Sequence, residues 1–119
     1  MKYQIIKNGR TFIINLSGDT RKNESIILKK VFSPYFKERG TKVIVNLKKI
    51  EKVDLVTLLG VLTSIRKEIA FLKGELKLCS LKPEILNYFK ENRLDHFFQI
   101  YEDEEKARKS ERKEYEKNL

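Results

Sequence analysis

The side chains able to do chemistry are few and scattered in this sequence of 119 residues. A catalytic carboxylate wants a second titratable group and a pocket that holds both. Asp54 has only Glu51 near it, inside the charged run 48–52. Asp54 instead stands just ahead of a long apolar-periodic stretch, where its side chain can cap a helix for about 0.5–2 kcal/mol. The single histidine, His96, lies between Asp95 and Phe97, reads as a helix–strand junction residue, and by itself assembles no histidine-rich metal site. The single cysteine, Cys79, has no partner for an internal disulfide and falls in an apolar run, where a thiol packs as a small hydrophobe. Lys48, Lys49 and Lys52 are either a solvated basic rim or a grip for a phosphate group, and no glycine-rich phosphate loop or dinucleotide fingerprint accompanies them. These residues point to a binding module, not an enzyme, with no cofactor and no metal.

The composition narrows the partners. A chain of this length suits one domain, and 40% apolar residues suffice for one modest core. No apolar run is long enough to span a membrane, residues 1–7 lack the apolar segment of a secretory signal, and the lone cysteine suits a reducing compartment. A cytoplasmic protein is the expectation. The formal net charge is +9. Residues 102–119 hold seven acidic and six basic side chains, so the positive excess lies wholly in the preceding body. Such a body attracts nucleic acid, anionic lipid or an acidic protein face, or reflects only a lysine-rich composition.

The elements that must position these residues follow from period and punctuation. Residues 3–6 and 11–16 read as strands joined at Asn8-Gly9, a strong hairpin-turn signal. Asn23 or Ser25 then caps a helix with Ile26, Ile27, Leu28, Val31 and Phe32 on one face, kinked or restarted at Pro34 and ended by Gly40. Residues 42–47 form a near-continuous apolar strand, the pattern of a strand buried on both faces. Residues 48–52 are expected to be a basic loop. Beyond Asp54, Leu58, Leu62, Ile65 and Ile69 recur at helical spacing, with Leu55, Leu59 and Leu72 beside them, until Gly74. A strand over 76–79 follows. A third helix has Ser80 as its expected cap, Pro83 in its first turn and Ile85, Leu86 and Phe89 facing inward. Residues 97–101 read as a short final strand. The order β-β-α-β-α-β-α-β predicts an α/β fold: right-handed crossovers, a mostly parallel sheet with an opening hairpin, and helices packed on it. The body is assigned to residues 1–102. Residues 103–119 form a charged tail, read equally well as a solvated helix with i,i+4 pairs such as Glu104/Arg108, Glu105/Lys109 and Arg112/Glu116, or as a frayed end.

An ordered set of short motifs then resembles the STAS family. It comprises Gly18-Asp19 after the hairpin, Val45-Asn46-Leu47, Val53-Asp54, Leu59-Gly60-Val61-Leu62, Lys73-Gly74-Glu75-Leu76, and the ending Leu94-Asp95-His96-Phe97-Phe98 followed by Glu102-Asp103-Glu104-Glu105. No piece is specific alone; the series, covering residues 3–107, carries the likeness. The resemblance implies a STAS-like sandwich and a partner-switching role of the anti-sigma factor antagonist kind, the partner being an anti-sigma factor or serine kinase-like protein. It also implies a phosphoacceptor at the start of the second helix. Counted from Gly60 or Gly74, that position is Val56; counted from Asp54, it is Leu55. Neither accepts phosphate, and Asn46 stands where the family carries Asp. Thr57 is the nearest hydroxyl and the candidate phosphorylation site, although a threonine there is more often a plain first-turn residue.

The expected partner-binding face comprises Gly18, Asp19, Lys48, Lys49, Lys52, Asp54, Leu55, Val56 and Thr57, with Leu55 and Val56 either anchoring a partner or turning inward. Binding is then constitutive or controlled on the partner's side. Two other readings stay open: an accessory subunit of a lipid-transport ATPase complex, and a basic nucleic-acid-binding domain.

Overall fold

The computed structural model describes residues 2–19, 35–52 and 54–117, with side chains through residue 110. The first expected helix, with Asn23, Ser25 and Pro34, lies outside the described residues through Pro34; its expected end, residues 35–40, is described and holds no α-helix, so no helix restarted at Pro34 runs on to Gly40. Among the described residues, five strands form one sheet in the order β1-β2-β3-β4-β5: β1 (Lys2–Asn8), β2 (Thr11–Asp19), β3 (Lys42–Lys52), β4 (Glu75–Cys79) and β5 (Gln99–Tyr101). β1 and β2 are antiparallel and every later pairing is parallel. Among the described residues three helices accompany them: α1 (Leu55–Phe71), α2 (Pro83–Glu91) and α3 (Glu104–Lys117), with a short 3₁₀ turn over Leu94–His96.

The hairpin forms one residue later than its turn signal suggests. Asn8 pairs with Thr11, so Gly9 and Arg10 make the two-residue loop. The strand pattern of alternate residues then sorts the core. Phe12, Ile14 and Leu16 of β2, Val43, Val45 and Leu47 of β3, and Leu76 and Leu78 of β4 face one cluster. Leu58, Val61, Leu62, Ile65 and Ile69 of α1 and Ile85 and Phe89 of α2 pack into it. Because the strands follow one another in chain order, right-handed crossovers place α1 and α2 on the same side.

The opposite side carries Ile13, Ile44, Cys79 and Lys77, and α3 covers it with Ala107, which is fully buried. The charged segment is therefore a docked helix at its start. Asp103 accepts from Lys106 N at 2.8 Å, and the pairs Glu104–Arg108 and Glu105–Lys109 close at 3.0 Å each. β3 is buried on both faces at Val43, Ile44 and Val45, as its continuous apolar run predicts.

Two local expectations are corrected. Residues 48–52 are strand, not loop: β3 runs on to Lys52, paired with Ser17, Gly18 and Asp19 of β2. Buried Ile50, a lone apolar residue in the charged run, holds this extension to the core. Ser80 does not cap α2. It takes a left-handed φ of 59°, and its N–H donates to the Tyr101 carbonyl at 3.3 Å, which spends it on the end of the sheet. Lys82 holds the cap position without a side-chain bond, and Pro83 opens the helix as expected.

At the other end of α1 the chain turns back through Lys73 and Gly74. Lys73 N–H donates to the Ala70 carbonyl at 3.0 Å and Gly74 N–H to the Ile69 carbonyl at 2.9 Å, the paired bonds of a Schellman cap. A Cβ on Gly74 would lie 2.0 Å from the Thr41 carbonyl oxygen, so only glycine lets α1 return beside the start of β3.

Candidate partner-binding face

The parallel strands all end on one side, and the residues with the most distinctive local geometry gather there. β2 reaches that end through Gly18, whose φ of +86° suits glycine, and stops at Asp19. β3 arrives with two register shifts against β2. Asn15 pairs with Asn46, yet Ser17 pairs with Lys49, Gly18 with Ile50 and Asp19 with Lys52. Asn46 steers the first shift: its Oδ1 accepts from Lys48 N at 2.9 Å, bending the chain locally. The extension keeps Ile50 inside and leaves Lys48, Lys49, Glu51 and Lys52 exposed.

α1 begins directly beyond. Asp54 takes an extended backbone, its Oδ1 accepts from Val56 N at 3.1 Å and Thr57 N at 3.3 Å, and its carbonyl accepts from Leu58 N at 2.9 Å. The carboxylate is thus committed to the helix end, the capping role its position implies. The first turn then divides its side chains. Leu55 is half-buried against the main cluster, Thr57 is half-buried, and Val56 is 74% exposed. One of the two apolar residues turns inward and the other stands in solvent.

The structure therefore brings Gly18, Asp19, Lys48, Lys49, Lys52, Asp54, Leu55, Val56 and Thr57 to one end of the sheet. Asn46 and Ile50, absent from the sequence-based set, shape that end from below. Their signal was a polar residue inside an apolar run and an apolar residue inside a charged one. A cleft of about 410 Å³ lies alongside, at the carboxyl ends of β4 and β5, lined by residues including Leu81, Ile100, Tyr101, Lys90, Asp95 and Glu102.

The other reactive side chains take no part in this face: Cys79, although the last residue of β4, turns under α3. His96 is exposed in the 3₁₀ turn. Burial pushes the Cys79 thiol from 9.0 up to about 11, leaving it protonated and a poor nucleophile at neutral pH. Among the described residues, no group of three or more His, Cys, Asp or Glu side chains could hold a metal ion. Among them, no helix is long and apolar enough to cross a membrane.

With this geometry in view, a family model described as the STAS domain matches residues 2–107. No curated protein matches the sequence. Several solved structures share the fold. A putative anti-sigma factor antagonist from Thermotoga maritima is 21% identical with a TM-score of 0.76, over 91% of this chain and 92% of that one. The anti-sigma factor antagonist SpoIIAA in its unphosphorylated form is 21% identical with a TM-score of 0.73, over 93% of this chain and 96% of that one. RsbS from Moorella thermoacetica is 18% identical with a TM-score of 0.70, over 89% and 93% respectively.

Proposed function

This chain belongs to the STAS-domain family, and from that premise we propose that it is a regulatory protein-binding domain of the anti-sigma factor antagonist kind, working without a phosphate switch of its own. The observation that carries this reading is Val56. It projects from the first turn of α1, 74% exposed, where the family resemblance implies a phosphoacceptor. A phosphate there would lie at the positive end of the helix dipole and would repel a partner by charge. Valine offers a permanent apolar contact instead, of the kind that fills the dry centre of a protein interface. The lysines of the β3 extension and Asp19 supply a charged border around it.

The docked partner is an anti-sigma factor or a serine kinase-like protein, and its release is governed on the partner's side. Thr57 has its backbone N–H bonded to Asp54 and its side chain half-buried, which supports a structural part for it. SpoIIAA has been solved in both phosphorylated and unphosphorylated forms, so phosphate is a property of that relative. Here the apolar residue takes its place.

Affinity capture from native lysate, with mass spectrometry of bait and prey, tests the reading. The expected prey is an ATPase-type anti-sigma kinase, with an unmodified bait, and Val56→Asp lowers capture by roughly tenfold or more. Equal capture by wild type, Val56→Asp and Thr57→Asp would sink the assigned face. A transport ATPase in its place would move the protein to the lipid-transport reading.

A further inference from the structure

The opposite end of the sheet, where the parallel strands begin, has a different character. Four separate segments meet there. Lys42 N–H donates to the Arg10 carbonyl at 3.2 Å, joining β3 to the hairpin loop. Gly40 N–H donates to the Leu72 carbonyl at 2.7 Å, joining the turn before β3 to the end of α1. Glu75 N–H donates to the Thr41 carbonyl at 3.1 Å, bringing in the start of β4.

These segments deliver Arg10, Lys37, Arg39, Lys42, Lys67 and Lys73 to one end of the domain, against Glu38, Glu68 and Glu75 among the described residues. Arg10, Lys37, Arg39, Lys67 and Lys73 are exposed. Amid them Phe71, on the last turn of α1, is 87% exposed, the most exposed large apolar side chain described. It borders a shallow groove of about 470 Å³ with Phe36, Leu72, Lys67 and Glu68. Tyr35, 47% exposed, packs edge-on against Phe12 with ring centroids 6.2 Å apart.

We propose that this end is a docking surface for an anionic lipid bilayer. A projecting aromatic ring at an end of the domain rich in exposed lysine and arginine matches an interface whose headgroups are negative and whose acyl boundary is apolar. The cations come from a hairpin loop, a turn, a strand start and a helix cap. The groove beside Phe71 is lined by one of them, Lys67, where a single-stranded nucleic acid would require a row of cations along its track. Bound in this way, the domain presents its candidate partner face, at the far end of the same strands, away from the membrane.

The test is flotation of the full chain with vesicles of phosphatidylcholine alone and of phosphatidylcholine mixed with phosphatidylglycerol, at low and at physiological salt. Binding only to the anionic vesicles, weakened by salt, is expected. Arg10→Glu and Lys73→Glu each reduce it by about fivefold or more. Phe71→Ala reduces it by roughly tenfold. Lys82→Glu makes the same charge change at the other end and changes binding by less than about twofold. Circular dichroism confirms that each variant is folded. No binding to anionic vesicles, or binding that ignores Arg10, Lys73 and Phe71 alike, overturns the proposal. So does tighter binding to single-stranded RNA with the same residue dependence, which would make this end a nucleic-acid surface.

Discussion

The two faces of the sheet are sealed by different physics. On one, α1 and α2 lay long aliphatic and aromatic side chains into the alternating positions of β2, β3 and β4, so Leu62, Ile65 and Phe89 sit at 1% exposure or less. On the other, α3 is almost entirely charged and, among its described side chains, contributes Ala107 alone to the buried cluster with Ile13, Ile44 and Cys79. What replaces apolar area there is Lys77. It is 1% exposed, its Nζ donates to the Ala107 carbonyl at 3.2 Å and lies 3.6 Å from Glu75 Oε2 and 5.8 Å from the centre of the Tyr101 ring. A cation that binds a helix carbonyl orients that helix without a large apolar stripe. The first face sets stability through area; the second holds a helix in register through a few directional contacts.

The sharpest way to separate the faces is to damage each. Leu62→Ala, in the main cluster, is expected to cost about 2–5 kcal/mol in a urea titration, because the cavity it leaves cannot collapse between α1 and the sheet. Ala107→Asp strikes the thinner face. A carboxylate has no place among Ile13, Ile44 and Cys79, so α3 should release and cap the loss at about 1–3 kcal/mol. Hydrogen exchange would then show fast amides in α3 with β2, β3 and β4 still protected. Uniform acceleration would mean that the two faces are one cooperative unit.

Lys77 gives a finer test through a pair of variants. Lys77→Ala removes the bond to the Ala107 carbonyl and opens a cavity between β4 and α3, and should lose about 1–3 kcal/mol. Lys77→Met fills the same space without a charge and should stay within about 1 kcal/mol of wild type. Equal losses would show that the directed bond, which methionine cannot make, and not the space the side chain fills, holds α3.

The smallest expected effect is a pH dependence. Burial raises the Cys79 thiol from 9.0 to about 11. Above the lower value the unfolded chain gives up the proton while the folded protein keeps it. Cys79 is thus stability-neutral below about 9 and lowers stability by about 1–2 kcal/mol as pH climbs toward 11. Cys79→Ala should flatten that slope relative to wild type. The same thiol should react faster with a thiol reagent in Ala107→Asp, since releasing α3 uncovers it.

Much of this could be read along the chain. The hairpin followed from Asn8-Gly9 between two β-rich runs, α1 from leucines and isoleucines at helical spacing behind Asp54, and the parallel order from alternating strands and helices. The cap at Asp54 was legible because a helix start is a local arrangement, decided by neighbours in sequence; which of Leu55 and Val56 turns inward was left open, and only the packing of α1 decided it. The overrun of β3 was not, because it depends on β2 supplying Ser17, Gly18 and Asp19 as partners from far away. Ser80 misled for a similar reason, its N–H being claimed by Tyr101 of the last strand.

The run Leu76-Lys77-Leu78-Cys79 marks where sequence and structure part. Alternation alone determined that Lys77 lies on the sheet face opposite Leu76 and Leu78, since strand side chains point to opposite sides in turn. It said nothing of whether that face is wet. Only the tertiary structure decided this: with α1 and α2 on one side, α3 folds across the other and turns a position that reads as solvent-facing into the buried anchor of a charged helix.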